Sequence, residues 1–256
     1  MGKTRVDDLL VKTGLAQDRK EALALVLSGR VLVEEQRVDK PGAMVNASAP
    51  VRLKGERLPY VSRGGLKLEA ALRQFQLPVA DSVCLDLGAS TGGFTDCLLQ
   101  HGARRVHAFD VGRGQLDWKL AQDERVVVHD GFNVRRLTPS DVGEPVDIVT
   151  IDLAFISLRQ VLPALRQFPA AQIVALVKPQ FEATREEVGE GGIIRSAELQ
   201  EEILQRVKSF ACAEGFEVLG ELPSPIPGQK GNREFLVLLR LRKGFGSDTY
   251  TRTNTD

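Results

Sequence analysis

Val83-Cys84-Leu85-Asp86-Leu87-Gly88-Ala89-Ser90-Thr91-Gly92-Gly93-Phe94-Thr95 is an apolar run carrying one acid near its end and closed by a glycine-rich turn. A short apolar run bounded by turn signals is the pattern of a parallel strand covered on both faces. Glycines after such a strand let the backbone approach a ligand, and a helix starting near Gly93 directs its unpaired N–H groups into the same crevice. A dinucleotide fingerprint would read G-x-G-x-x-G and wrap a pyrophosphate. Here the turn reads Gly88-x-x-x-Gly92-Gly93 with Asp86 just before it. That shape suits a smaller ligand with a cationic amino-acid end and an adenosine, S-adenosylmethionine.

Two further strands extend this edge. Arg105-Val106-His107-Ala108-Phe109-Asp110 ends in an acid about 20 residues on, the distance at which a carboxylate reaches a ribose diol. Val126-Val127-Val128-His129 delivers Asp130 at the next position, where a carboxylate accepts from an adenine amino group. One acid at a strand end is ordinarily a cap, but three after successive strands point to a ligand edge. The expected cofactor contacts are therefore Asp86, Gly88, Ala89, Ser90, Thr91, Gly92, Gly93, Phe94, Thr95, Asp110 and Asp130, with Asp152 at the end of the fourth strand.

With 256 residues the chain is long enough for one large and one small domain. Its 34 Lys+Arg balance 34 Asp+Glu. Residues 1–79 nevertheless hold 14 basic against 9 acidic residues, net +5, leaving 20 against 25, net −5, for the remainder. A basic front end on a neutral chain implies a polyanionic partner for that part. Three cysteines (Cys84, Cys97 and Cys212) without a C-x-x-C pair, and three histidines without ligand spacing, make a zinc site improbable and read as reduced core thiols of a cytoplasmic protein. No leader-like segment and no apolar run near 18 residues is present, so neither secretion by a signal peptide nor membrane spanning is expected.

Along the chain, residues 1–57 read as two short helices and then small strands. Val6, Leu9, Leu10 and Leu15 share one helical face, and Gly14 stops the first helix. Asp18 is the candidate N-cap of the second, where Ala22, Leu23, Val26 and Leu27 form a face ending at Gly29. Residues 58–62, with Pro59, form a joint. From 63 to 243 a helix from Gly65 to about Phe75 precedes strands at 83–87, 105–110, 126–129, 146–151, 172–177, 216–221 and 235–241 with helices between most of them. This is an α/β, doubly wound Rossmann-like sheet behind a small N-terminal α+β domain. A helix from Ala197 to Glu214 is capped by Ser196 and closed by Gly215. The polar tail 244–256 is expected to be disordered.

At the strand ends what remains for chemistry is ionic. The fourth strand leads into Asp152-Leu153-Ala154-Phe155, not the Asn/Asp-Pro-Pro-aromatic motif of base N-methylation, and the cysteines sit away from this edge, which disfavours a thiolate route to base carbons. Asp152, Lys178 after the apolar strand Ile173-Val174-Ala175-Leu176-Val177, Glu234 before the last strand, and Lys67 at the start of the first helix are the ionisable groups left. Each alone reads more readily as a solvated charge or a local ion pair than as a catalytic group, although a lysine directly after a wholly apolar strand is less easily read that way.

Two resemblances cover most of the chain. Arg5-Val6-Asp7-x-Leu9-Leu10, Gly14, Asp18-Arg19-x-x-Ala22, Ser28-Gly29-Arg30-Val31-x-Val33 and Val38-x-Lys40-Pro41-Gly42 resemble the small RNA-binding fold named for the fourth protein of the small ribosomal subunit, over residues 3–54. Glu34-Glu35 replaces its usual Asn-Gly turn, and Asp18 stands where Ser is common. The motifs Tyr60-Val61-Ser62-Arg63-Gly64-Gly65-Leu66-Lys67-Leu68, Leu85 to Thr95, Asp152-Leu153-Ala154-Phe155-Ile156-Ser157, Val177-Lys178-Pro179-Gln180-Phe181-Glu182 and Gly231-Asn232-Arg233-Glu234-Phe235 resemble the TlyA family. That family comprises ribosomal RNA ribose 2′-O-methyltransferases, also named hemolysins, with an FtsJ-like catalytic domain. The resemblance implies S-adenosylmethionine as cofactor, a cytidine 2′-hydroxyl as acceptor, and a catalytic tetrad of Lys67, Asp152, Lys178 and Glu234. It implies ribosomal RNA in ribosomal subunits as partner, held by Arg5, Lys12, Arg19, Lys20, Arg30 and Arg63. A monomer with no membrane partner and no metal is expected.

A ribose hydroxyl must lose its proton around the time of attack. Lys178 takes it only as the neutral amine, which burial or Lys67 would favour and the two carboxylates would oppose. Two roles stay open: Lys178 as base, or Lys178 with the carboxylates as a frame that aims the oxygen at the methyl carbon. Two other functions stay open as well, a membrane-active hemolysin and an RNA-binding assembly factor without activity.

Overall fold

The computed structural model describes residues 2–34, 36–54, 59–228 and 231–243. The tail expected to be disordered, Glu35 of the expected turn and Leu58 of the expected joint lie outside these residues. The chain divides into two compact units, Met1–Leu58 and Pro59–Asp256.

In the first unit, β1 (Lys3–Arg5) runs into α1 (Val6–Lys12), followed by α2 (Arg19–Leu27), β2 (Val31–Val33), β3 (Gln36–Val38), β4 (Met44–Asn46) and β5 (Val51–Leu53). Asp18 caps α2 by accepting from the Glu21 N–H at 2.8 Å, and the left-handed Gly14 and Gly29 follow the two helices. The three-residue β1, too short to show a period, pairs antiparallel with β4, while β3-β2-β5 form a small antiparallel sheet. Val6, Leu10, Ala22, Val26 and Val31 are fully buried between the helices and this sheet. The buried face of α2 is Ala22, Leu25 and Val26; Leu27, expected on it, is 67% exposed, because the i, i+3, i+4 stripe centres one residue earlier.

In the second unit α3 (Gly64–Phe75) precedes β6 (Val83–Leu87), α4 (Gly93–Gln100), β7 (Arg105–Asp110), α5 (Trp118–Ala121), β8 (Val126–Asp130), α6 (Pro139–Val142) and β9 (Ile148–Ile151). The chain continues through α7 (Leu162–Leu165), β10 (Gln172–Val177), α8 (Pro179–Glu182), α9 (Ala197–Ala213), β11 (Phe216–Pro223) and β12 (Phe235–Leu241). Strand order across the sheet is β11-β12-β10-β9-β6-β7-β8. The five strands from β10 to β8 are parallel, and β12 enters antiparallel between β10 and β11. Side chains of β10 alternate between two cores: Ile173, Ala175 and Val177 on one face, Val174 and Leu176 on the other. The order reverses between β6 and β9, which is where a sheet of this kind opens a crevice at its carboxyl ends.

Asp86 sits in the middle of this sheet with no exposed surface. Its Oδ2 accepts from Thr95 Oγ1 at 2.7 Å, and its Oδ1 lies 3.2 Å from Thr150 Oγ1, whose single hydrogen also faces the Leu85 carbonyl at 3.1 Å. One hydroxyl hydrogen cannot serve both acceptors, so a protonated Asp86 donating to Thr150 completes the network. Burial accordingly pushes the Asp86 carboxyl up to about 7, with Asp152 adding to the rise and the Thr95 bond opposing it.

Between about pH 4 and 7 the folded chain therefore holds a proton here that the unfolded chain has released, and stability falls as pH rises through that window. Asp86→Asn, which keeps an acceptor for Thr95 and a donor for Thr150, is expected to melt several degrees above the wild type at pH 8. The difference should shrink toward pH 4, and thermal unfolding across the range measures it. Parallel curves for the two proteins would show that Asp86 is ionised throughout.

Candidate active site

A cavity of about 810 Å³ opens in the second unit at the carboxyl ends of β6, β9 and β10. One wall is the glycine turn from Gly88 to Thr91 with Gly93 and Phe94 at the head of α4. Gly88 has φ +93, and a Cβ there would come within 2.5 Å of the Asp152 carbonyl oxygen. No other residue type lets the end of β9 pass this close. Gly88 and Ala89 donate to the Phe109 carbonyl, and Ser90 N–H donates to Asp110 Oδ2 at 2.9 Å, so the turn is fastened to the end of β7.

Two ion pairs face the cavity. Lys178 Nζ lies 2.5 Å from Asp152 Oδ1, joining the ends of β10 and β9. Lys67 Nζ of α3 lies 2.5 Å from Glu234 Oε2, the residue that precedes β12. The second pair is the deeper, with the Glu234 side chain 2% exposed, while Lys178 keeps 14% of its side chain open. Charges removed from water in this way persist because each has its counter-ion at contact distance. Gly228 lies against the Glu234 carboxylate, leaving no room for a side chain there. All four expected catalytic residues thus line one cavity.

Two phenylalanines that carried no expected role complete it. Phe155 and Phe181 stand with ring centroids 5.3 Å apart, and Lys178 Nζ is 6.0 Å from the Phe181 ring. Phe155 is 90% exposed. A signal for both exists in the sequence: each lies three residues after a strand-end ionisable residue, Asp152 and Lys178. Ser62, Gln180 and Asn232 also line the cavity, with no role expected of them from the sequence.

Some expected contacts lie elsewhere. Asp86 and Thr95 are fully buried and bonded to each other, so they brace the turn from beneath and no ligand reaches them. Gly92, packed against Leu116 and Leu120, is buried away from the cavity wall. Asp110 and Asp130 sit side by side in register at the ends of β7 and β8, outside the cavity lining. Asp110 accepts from Ser90 and Gly112 N–H, and Asp130 from Gly114 N–H.

In the first unit Arg5 and Arg19 both donate to the buried Asp7, whose carboxyl they hold below the usual carboxylate range, Arg5 most strongly. Lys12, Lys20 and Arg30 are exposed. Arg63 belongs to the second unit, where it lines the cavity and donates to the Pro227 carbonyl at 3.4 Å. Among the described residues no group of three or more His, Cys, Asp or Glu could hold a metal ion, and no helix is long and apolar enough to cross a membrane.

Comparison with known proteins places this geometry. Residues 60–241 match the FtsJ-like methyltransferase family, and residues 4–51 match the S4 domain. YqxC of Bacillus subtilis, named as a candidate rRNA methyltransferase, is 51% identical over 93% of this chain and 85% of its own. The 16S/23S rRNA (cytidine-2′-O)-methyltransferase TlyA of Mycobacterium tuberculosis is 44% identical over 93% of this chain and 90% of its own. A solved structure from Streptococcus thermophilus, named as a candidate hemolysin, superposes with a TM-score of 0.73 at 48% identity, covering 95% of this chain and 90% of that one. With an S4 domain ahead of an FtsJ-like methyltransferase domain and such identities over nearly its whole length, the chain belongs to the TlyA family.

Proposed function

We propose that this protein transfers the methyl group of S-adenosylmethionine to the 2′-hydroxyl of a cytidine in ribosomal RNA, acting in the cytoplasm as a monomer. The observation that carries the reading is the convergence of the Lys178–Asp152 and Lys67–Glu234 pairs on one cavity beside the glycine turn. The acceptor's identity is supported by the name of the Mycobacterium relative.

The residues present fit the cofactor. The cavity volume is that of a small-molecule site, and the turn from Gly88 to Thr91, left-handed at Gly88 and Ser90, forms one of its walls. Asp110 and Asp130 each keep lone pairs beyond the backbone bonds they accept, available to a ribose diol and an adenine amino group. When bound, S-adenosylmethionine supplies an electrophilic methyl group.

The chain's own work is alignment and charge. Lys178, held beside Asp152 as its counter-ion, turns its ammonium donors to the ribose and so fixes the direction of the oxygen lone pair. With Lys178 kept as the ammonium, the leaving proton passes to the Asp152 carboxylate. Lys67 and Glu234 hold the floor of the site. The Phe155 and Phe181 rings offer an apolar face to a nucleobase drawn out of its stack. Exposed Lys12, Lys20 and Arg30, with Arg5 and Arg19 preset by Asp7, supply phosphate contacts in the S4 unit.

A membrane-active reading finds no spanning helix among the described residues.

Lys178→Ala is expected to lower methyl transfer to ribosomal subunits roughly 10²–10⁴-fold with cofactor affinity by calorimetry little changed. Lys178→Arg should retain part of the activity, because arginine donates hydrogen bonds but stays protonated. Nucleoside analysis of the labelled product identifies the atom modified, and wild-type turnover in Lys178→Ala would withdraw this site.

RNA affinity should fall steeply as salt rises. Lys20→Glu with Arg30→Glu should weaken it and flatten the log–log salt slope by about 0.7–0.9 for each phosphate that is no longer neutralised, leaving cofactor affinity unchanged. An unaltered slope would remove these residues from the RNA interface.

A further inference from the structure

Phe155 combines two unfavourable features. Its backbone is left-handed at φ +65, and its ring is almost wholly in solvent. A non-glycine residue held there is strained, and packing of its own side chain does not compensate, so neighbouring residues must hold the loop.

The holding group is Glu182, the last residue of α8, which is buried to 8% exposure although nothing in the reaction calls for it. Its Oε2 accepts from Ser157 Oγ at 2.6 Å and its Oε1 accepts from Leu158 N–H at 2.7 Å. Ser157 Oγ in turn accepts from Arg159 N–H at 3.1 Å, where the chain enters a short 3-10 turn, and Arg159 adds attraction from its charge. Burial pushes the Glu182 carboxyl up from its ordinary range and these bonds oppose the rise. A carboxylate buried with both oxygens committed to one loop is a brace. It joins the segment after Asp152 to the segment after Lys178, the two segments that carry the Lys178–Asp152 pair, Phe155 and Phe181.

We propose that Glu182 is a positioning residue for methyl transfer: by accepting from Ser157 and Leu158 it locks the loop from Asp152 to Leu158 onto the turn from Lys178 to Glu182. The Lys178–Asp152 pair and the Phe155–Phe181 rings then stand in one arrangement before RNA arrives. The inference rests on reading this cavity as the methyl-transfer site, and it assigns to Glu182 an effect on turnover and none on cofactor binding.

The test compares Glu182→Ala, Glu182→Gln, Phe155→Ala and the double variant Phe155→Ala/Glu182→Ala as full-length proteins, with ribosomal subunits as acceptor. Loss of the brace should lower kcat about 10²-fold, the scale of a reacting group misplaced by about 1 Å, with S-adenosylmethionine affinity by calorimetry unchanged. Amide exchange should rise at residues 155–158 and not across the sheet. Glu182→Gln should recover most of the activity, since its carboxamide oxygen still accepts from Leu158 and its NH₂ can donate to Ser157. The double variant should be no slower than the slower single, because both act on one loop.

Wild-type kcat in Glu182→Ala, multiplicative effects in the double variant, or exchange raised across the whole sheet without rescue by Gln would overturn the proposal. A wild-type protein that puts no methyl on ribosomal RNA would instead remove the functional reading and the positioning role with it. Unaltered exchange at Leu158 in Glu182→Ala would remove the brace alone.

Discussion

At the carboxyl end of the sheet the backbone of Asp152 runs against Gly88, so closely that its carbonyl oxygen lies 2.5 Å from where a Cβ would sit. The two strands are in register up to Leu87 and Ile151, and Asp152 N–H still donates to Leu87. Beyond that point one chain must turn away with positive φ while the other goes straight on, and only glycine satisfies both demands. The glycine turn, the direction of the Asp152 side chain and the seat of Lys178 all follow from this close approach. Because it falls where the strand order reverses, it also sets the place of the crevice.

Electrostatics above and below that point differ in kind. Above it, four charges are grouped as two contact pairs and Arg63 adds a further cation to the lining, so the cavity presents directed donors and acceptors with a positive surplus. Below it, Asp86 is neutralised in part by protonation near pH 7, held there by burial and by the neighbouring Asp152. A fully ionised Asp86 would set a second negative charge under the Lys178–Asp152 pair without a counter-ion of its own. The hydroxyls of Thr95 and Thr150 make this arrangement tolerable by satisfying both carboxyl oxygens.

How much of this is legible in the sequence depends on the range of the interaction. Long apolar strands announce themselves: β6, β7, β10 and β12 occupy the residues that their composition indicates. The four residues of the two ion pairs are recognisable from motifs, although the pairing of Lys67 with Glu234 cannot be seen without the sheet order. Asp86 is misplaced by sequence reasoning because a strand's alternation tells which face a side chain takes but not how deep it lies, and this one is roofed by α4. Phe155 escapes notice because apolar residues in loops are ordinarily buried. Its exposure arises from a left-handed backbone that no local pattern specifies. In the first unit β1 is invisible since three residues carry no period, and the exposed Leu27 shows how a one-residue shift in helical phase escapes a count of apolar positions.

The pair formed by Lys67 and Glu234 closes across 167 positions of sequence. Lys67 belongs to the helix ahead of the first strand of the sheet, and Glu234 precedes the last. During vectorial synthesis the ammonium group is made early and waits, without its counter-ion, until nearly the whole domain has left the ribosome. A lysine on a helix that must pack against the sheet resists burial while unpaired, so docking of that helix and arrival of the final hairpin become one late event. Competence for chemistry is thereby tied to completion of the chain. A fragment lacking its final strands would carry every glycine of the ligand turn and still lack a settled floor.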